Sequence, residues 1–306
     1  MLMPILNPIM REILGARVGG SAPFDIASTN PSAIYDRTVL ATLFQDYTGT
    51  IPVTAASQPV GLMLDKSQGL VLGPELVANG AFDAGITGWT SAAALSWNSG
   101  SQSMTVTPSA FNQSVHNTGF PAVVAGRSYK VTVTTSHTRG TVRTFEVRVG
   151  GGVATFTGPT GQTVNASVIV LATSTAALDI RYAGIEFDFT WTVDNISVKE
   201  LPGNHATQPT AGKRPLTAGS PIYANFDAVD DDLTTTFPAS LGAGCTVCRS
   251  LPGTGASITT GVTIGTTFTD NVDAHALLIF TAAQWAALDA GQIAKITTWL
   301  NGRAGL

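Results

Sequence analysis

Glu75-Leu-Val-Ala-Asn-Gly-Ala-Phe-Asp-Ala-Gly-Ile-Thr-Gly-Trp89 opens a long stretch of the chain, and Phe187-Asp-Phe-Thr-Trp-Thr-Val-Asp-Asn-Ile-Ser-Val-Lys-Glu200 closes it. Between them lie Tyr129-Lys-Val-Thr-Val-Thr-Thr135, Thr144-Phe-Glu-Val-Arg-Val149, Ser167-Val-Ile-Val-Leu171 and Ala177-Leu-Asp-Ile-Arg-Tyr182. These runs alternate apolar and polar residues, or form short β-branched apolar blocks, with Gly, Pro, Asn or Ser between them. Such a pattern predicts antiparallel strands with one buried and one wet face, hence a β-sandwich.

Outward from this stretch, the 306 residues suffice for two cores, and a 44% apolar content argues against disorder. Charged residues make up 12% of the chain and glycines number 32, whereas a globular chain carries about 25% charged residues. Low charge with many small hydroxyl residues suits β-rich surfaces in close contact with neighbouring subunits. The net charge of -4, with no basic stripe, excludes nucleic acid as a partner. Cys245-Thr-Val-Cys248 is a lone pair in a strand-like run. It cannot complete a four-ligand zinc site and lacks the helix start of a redox motif, so both thiols are expected to be reduced structural residues.

The N-terminal Met1-Leu-Met-Pro-Ile-Leu-Asn-Pro-Ile-Met10 is apolar but broken by Pro4 and Pro8 and has no basic region. It does not read as a signal peptide, and no run reaches membrane-span length, so membrane insertion is not expected. A short helix fits Pro8 to Leu14, with Ile9, Ile13 and Leu14 on one face. It either packs on its own domain or docks the protein on a larger assembly. An apolar tail is costly to leave in water, which favours docking for residues 1–20.

The opening and closing phrases resemble carbohydrate-binding modules of the galactose-binding-like jelly-roll type, grouped with families 4 and 9. The flanks carry a different resemblance. Ser32-Ala-Ile-Tyr-Asp-Arg-Thr-Val-Leu-Ala-Thr-Leu-Phe-Gln-Asp46 and Val60-Gly-Leu-Met-Leu-Asp-Lys-Ser67 resemble a segment of bacteriophage virion and tail-associated proteins. In those proteins it opens a concanavalin-A-like (laminin-G-like) sandwich. There, Asp-Lys-Ser runs straight into Gly-Asn-His-Ala-Thr-Gln; here Asp65-Lys-Ser67 and Gly203-Asn-His-Ala-Thr-Gln208 are separated by the whole jelly-roll-like stretch. Tyr223-Ala-Asn-Phe-Asp-Ala-Val-Asp-Asp-Asp-Leu233 is similar to the same family's Phe-Asp-Gly-Val-Asp-Asp phrase, with Ala228 in place of Gly.

The fold expected is therefore all-β, with a jelly roll over residues 71–201 inserted into a concanavalin-A-like sandwich built from residues 21–70 and 202–306. Leu251 to Gly261 is expected to be a glycine-rich loop, without the lysine of a phosphate loop. Two short helices are expected at the end, over Thr281–Leu288 and Asp289–Leu300. The second has Ile293, Ile296 and Leu300 on one face and Gly302 as its stop.

No constellation in the sequence carries catalysis. His116, His137, His205 and His275 are scattered, and neither Gly-x-Ser-x-Gly nor His-Glu-x-x-His occurs. Asp227, Asp230, Asp231 and Asp232 form the densest acidic run, read as a turn whose carboxylates bind backbone amides, with a bound cation as the alternative. The jelly-roll resemblance implies a structural calcium between the first and last strands, and the matching positions are Asp83 and Asp194. Sugar binding calls for aromatic faces beside hydrogen-bonding side chains. The candidates are Trp97, Tyr129, Tyr182 and Trp191, with Asn98, Gln102, Gln113 and Arg181 as polar partners; Trp89 is assigned to the core.

The resemblances together imply a phage virion protein of the tail, a fibre or a decoration. Assembled in the host cytoplasm, it would dock on other virion proteins through its tail and base. A homo-oligomer, trimeric or ring-shaped, would then present the inserted module to host-surface polysaccharide. The alternative is a purely architectural decoration that binds no sugar. A polysaccharide-degrading enzyme is disfavoured by the missing acid–base pair and signal peptide.

Overall fold

The structure, a computed structural model, describes residues 24–138, 140–159 and 161–306; the expected docking tail lies outside the described residues. The architecture is all-β, two sandwiches with short helices at the C-terminal end.

One sandwich comes from the middle of the chain. Its first sheet has the spatial order Gly152–Gly158, Arg143–Val149, Asp179–Tyr182, Ser114–Asn117, Trp89–Ser91. Its second has the order Val164–Leu171, Ser128–His137, Trp191–Leu201, Ser103–Thr107, Ala94–Asn98. The alternation decides which side is inside. Tyr129, Val131 and Val133 are buried, and Lys130, Thr132 and Thr134 face out. Phe145, Val147 and Val149 of the first sheet meet them across the core, around a fully buried Trp191. Each such side chain contributes about 1.5–3 kcal/mol of burial energy.

The second sandwich draws its strands from both flanks. Ala33–Asp36 pairs with Ala276–Phe280, followed by Gly242–Leu251 and Gly255–Ile264. The facing sheet runs Leu43–Phe44, Leu62–Met63, Ala206–Thr207, Leu233–Thr236, Thr267–Asp270. Tyr35, Leu43, Met63, Leu233, Val247 and Ile279 fill the space between. Cys245 and Cys248 are buried free thiols, and burial pushes Cys248 up to about 12. The glycine-rich loop expected over Leu251–Gly261 is mostly strand. Only the Pro252-Gly253-Thr254 turn separates two paired strands, because the Ser/Ile/Thr residues that follow keep their β pattern.

The helices Ala282–Ala286 and Ala290–Arg303 cover the outer face of the first flanking sheet, where Ile296 and Leu300 meet Ile34, Leu278 and Phe280. Each begins with a complete capping box, Thr281 with Gln284 and Asp289 with Gln292. The second helix runs through Gly302 to Arg303; the left-handed residue beyond it is Gly305, with φ 77°. Gly302 is therefore helical and not the stop.

The chain enters and leaves the middle sandwich side by side. Gly73 N–H donates to Glu200 O, and Leu76 N–H donates to Val198 O. The two sandwiches also touch directly: Ile169 N–H donates to Thr48 O at 2.7 Å, and Ile169 packs on a cluster of Leu62, Leu64 and Leu201. At Gly126 (φ 83°) a Cβ would come within 3.0 Å of Pro238, so this turn between the sandwiches has no room for a side chain.

Candidate functional site

The two ends of the middle sandwich interlock. Glu75 accepts from Ser197 Oγ and, at 2.8 Å, from Val198 N–H; these bonds hold its carboxyl below the ordinary value despite partial burial. Ile196 N–H donates to Gly80 O, and a Cβ on Gly80 would lie 2.0 Å from Ile196 O. The closing strand bulges between Asp194 and Ser197, with Asn195 left-handed at φ 49°. This brings the Asp194 carboxyl near Asp83, and partial burial followed by the Asp83 charge raises it above the ordinary value. Both Asp194 oxygens are oriented by Asn195, through its N–H at 2.7 Å and its Nδ2 at 2.9 Å. The two carboxylates are hard-oxygen donors of the type calcium accepts, and they would supply part of the about six to eight oxygens that ion takes.

Trp97, Asn98 and Gln102 lie beside this closure, on one edge hairpin. Trp97 is 41% exposed, and its Nε1–H donates to Phe82 O at 2.8 Å. Asn98 Oδ1 accepts from Gly100 and Ser101 N–H, holding the turn, and Gln102 Nε2 reaches Asp83 O at 3.5 Å. Trp89 is buried, with Nε1–H donating to Asn79 O. Gln113 caps the turn at Ser109 and Ala110.

Three proposed sugar platforms require correction. Tyr129, Tyr182 and Trp191 are 2%, 7% and 0% exposed. All three sit on inward positions of their strands, where Phe145 and Phe189 meet Tyr182 edge-on and Phe145 packs at a tilt against Trp191. Buried in the core, these rings cannot stack on a sugar.

Arg181 belongs to a different array, on the outer face of the first middle sheet. Arg148 Nη2 and Arg181 Nε each donate to Glu146 Oε2 at 2.8 Å. Arg181 pairs in register with Glu146 on one side and Ser114 on the other; Asp179 pairs with Arg148 and His116. Both guanidiniums hold the Glu146 carboxyl below the ordinary value, although partial burial acts upward. Asp179 Oδ1 is buried without a hydrogen-bond partner, and Ser114 Oγ lies 3.0 Å from His116 Nε2. The sequence reading missed Glu146, Arg148, Asp179 and His116. Their signal was present: alternation in Thr144–Val149 and Leu178–Tyr182 puts four charges on one side of two short strands, in a chain that is only 12% charged.

No protein-family model matches the chain, and no curated protein matches it. Among solved structures the chain is similar to a Clostridium thermocellum endo-1,4-beta-D-xylanase, family 22 carbohydrate-binding and family 10 hydrolase modules complexed with xylohexaose. Identity is 18% and the TM-score 0.33, over 42% of this chain and 29% of that one. The match thus spans less than a third of that xylanase chain. The chain is also similar to a family 22 xylan-binding domain from Paenibacillus barcinonensis, with 16% identity and a TM-score of 0.34 over 43% of this chain and 97% of that one. A tandem pair of such domains from the same organism gives 11% identity and a TM-score of 0.37 over 72% and 93%.

Among the described residues, Asp227, Asp230 and Asp231 are the one set of three such side chains whose oxygens all lie within 4.8 Å. Asp227 Oδ1 accepts from the N–H groups of Val229, Asp230 and Asp231, which lowers its carboxyl, and Ala228 adopts φ 59°. Asp232 instead accepts from Gln208 Nε2. The geometry is that of a side-chain-capped turn. The remaining imidazoles are structural: His137 bonds Gly158 O, His275 bonds Ile222 O, and buried His205 accepts from Asp65 N–H.

Proposed function

We propose that the chain is a non-catalytic glycan-binding protein whose outer charged face, on the sheet carrying Glu146, Arg148, Asp179 and Arg181, contacts the sugar. The observation that carries this reading is the fixed Arg148–Glu146–Arg181 group on the outer face of the sheet. Neighbouring strands lie about 4.8 Å apart, so such a group presents donors and acceptors in a rigid row. Sugar hydroxyls can bridge the partly exposed Glu146 carboxylate and a guanidinium edge with charge-assisted bonds. The aromatic contribution comes from exposed Phe111 and Phe187, in the loops that precede Ser114 and follow Tyr182.

The sequence phrases of the flanks support a wider setting. In this reading residues 21–70 and 202–306 form a concanavalin-A-like base that docks on a phage particle, and residues 71–201 are an insert displayed outward. Copies arranged as a trimer or ring raise avidity for host-surface polysaccharide. Calcium between Asp83 and Asp194 supplies a structural clamp for the insert, joining its first and last strands. Ser114 and His116 do not amount to a nucleophile–base pair, because Asp179, opposite His116, makes no hydrogen bond to orient it.

The test is retardation of the full chain in gels containing xylan, β-glucan or host-envelope polysaccharide. Retardation by at least one polymer, abolished in both Arg181→Ala and Glu146→Gln, is the expected result. Equal mobility in all gels would remove the glycan reading. A specific observation favours the architectural alternative in that event. The outer face of the second middle sheet is a field of Thr132, Thr134, Ser136, Thr192 and Ser167, with no aromatic ring among them.

A further inference from the structure

A cavity of about 420 Å³ lies where the two sandwiches and the connecting segments meet. Four carboxamides line it: Asn30, Gln68, Asn204 and Gln284. Their hydrogen-bonding capacity is partly unspent. Among the described residues, no hydrogen-bond partner meets the Asn30 and Gln68 side chains, both of which are exposed. Asn204 uses only Nδ2, on Ser32 O, and Gln284 only Oε1, on Ser32 Oγ and Thr281 N–H. Arg127 adds a buried Nε–H without a partner. It is the one charged residue of the lining, and Glu200 neutralises it through an ion pair.

The rest of the lining mixes the hydroxyls of Ser32, Ser67 and Ser240 with apolar Pro238 and Leu241. Carboxamides without net charge offer donor and acceptor together, the pattern that vicinal hydroxyls satisfy. The exposed Pro238 ring and the partly exposed Leu241 offer apolar surface to the C–H side of a pyranose ring. The volume lies within the ordinary small-molecule range of about 300–1,000 Å³. An anion would have to displace Glu200, and a purely apolar ligand would strand the amides.

We infer that this junction cavity is a second saccharide site, taking one or two neutral pyranose rings. It is separate from the charged sheet face and does not depend on it. A ligand there touches the flanking sandwich, the connecting segments and the middle sandwich at once, so binding resists their separation.

The experiment is titration of the full chain with cellobiose, maltose, lactose and chitobiose, followed by saturation-transfer NMR and thermal melting. At least one disaccharide is expected to saturate at millimolar concentration and to raise the Tm. Ala239→Trp, which fills the cavity from its exposed rim, abolishes that binding. The double variant Asn30→Gly with Gln68→Ala removes two unbonded carboxamides and weakens it by about tenfold. Asn30 already has a left-handed backbone at φ 52°, so glycine there keeps the fold. Arg181→Ala leaves the binding unchanged. No saturation by any of the four sugars overturns the inference. So does binding that survives both Ala239→Trp and the double variant but fails in Arg181→Ala, which places all saccharide binding on the sheet face.

Discussion

The backbone N–H of Asn204 donates to Asp65 Oδ2 at 2.7 Å across 139 positions of sequence. The same carboxylate accepts from Ile34 N–H at 2.7 Å and from Ser67 N–H and Oγ at 2.8 Å, while Asp65 N–H donates to His205 Nδ1. Gly203, at φ 112°, leaves its Cβ position 2.9 Å from Asp65 O. One buried carboxylate thus ties together both ends of the chain that leads into and out of the middle sandwich.

Excising residues 68–202 and joining Ser67 to Gly203 is therefore expected to leave a folded flanking sandwich. Far-UV circular dichroism and a cooperative thermal transition are the readout. A soluble product without a cooperative transition would mean that the flanks need the middle sandwich to fold.

His205 sets a pH dependence. Burial lowers it to about 4, from an ordinary value of 6.5. The unfolded chain binds the extra proton between these values, so stability is full above about pH 6.5 and declines as pH falls toward 4, by up to about 3 kcal/mol. Asp65 acts in the opposite sense, because burial raises its carboxyl and protonation relieves the buried charge. Urea melts of wild type and His205→Gln across pH 4–7 isolate the imidazole: the variant should show a flatter profile. Parallel profiles would refute the assignment.

Gly80→Ala is expected to destabilise the middle sandwich by about 2–4 kcal/mol, since backbone at both positions must move to admit the methyl group. Gly100→Ala, whose Cβ meets nothing nearer than Asn98 Oδ1 at 3.4 Å, should cost about 1 kcal/mol or less. Comparable losses in the two variants would show that the Gly80–Ile196 contact does not control closure.

Calcium at Asp83 and Asp194 predicts that adding the ion to chelator-treated protein raises the Tm by several degrees, and that Asp194→Asn removes the rise. A variant that responds like wild type would exclude these carboxylates as ligands.

Much of the fold was legible because strand alternation is a local property. Thr144–Val149 and Leu178–Tyr182 declare their two faces from five or six letters each. Asp65 and Asn204, far apart in sequence, are joined by a hydrogen bond. The site was less legible. Tyr129, Tyr182 and Trp191 have the aromatic rings that sugar binding calls for, but strand parity puts each on a core-facing position. Trp97 shares the inward side of its strand, yet its strand is the last in its sheet, so the ring stays partly in water.

The sequence by itself determined an all-β chain, the strands of its middle sandwich, the helical end and the scarcity of charge. Tertiary structure alone decided which outward residues meet. Glu146, Arg148 and Arg181 become one group only because Asp179–Tyr182 pairs beside Arg143–Val149 in a particular register. The junction cavity likewise needs Asn30, Gln68, Arg127, Asn204 and Gln284 brought together from five separate segments. Periodicity reports the direction of a side chain relative to its own strand; long-range pairing, driven by burial of the two cores, determines its neighbours.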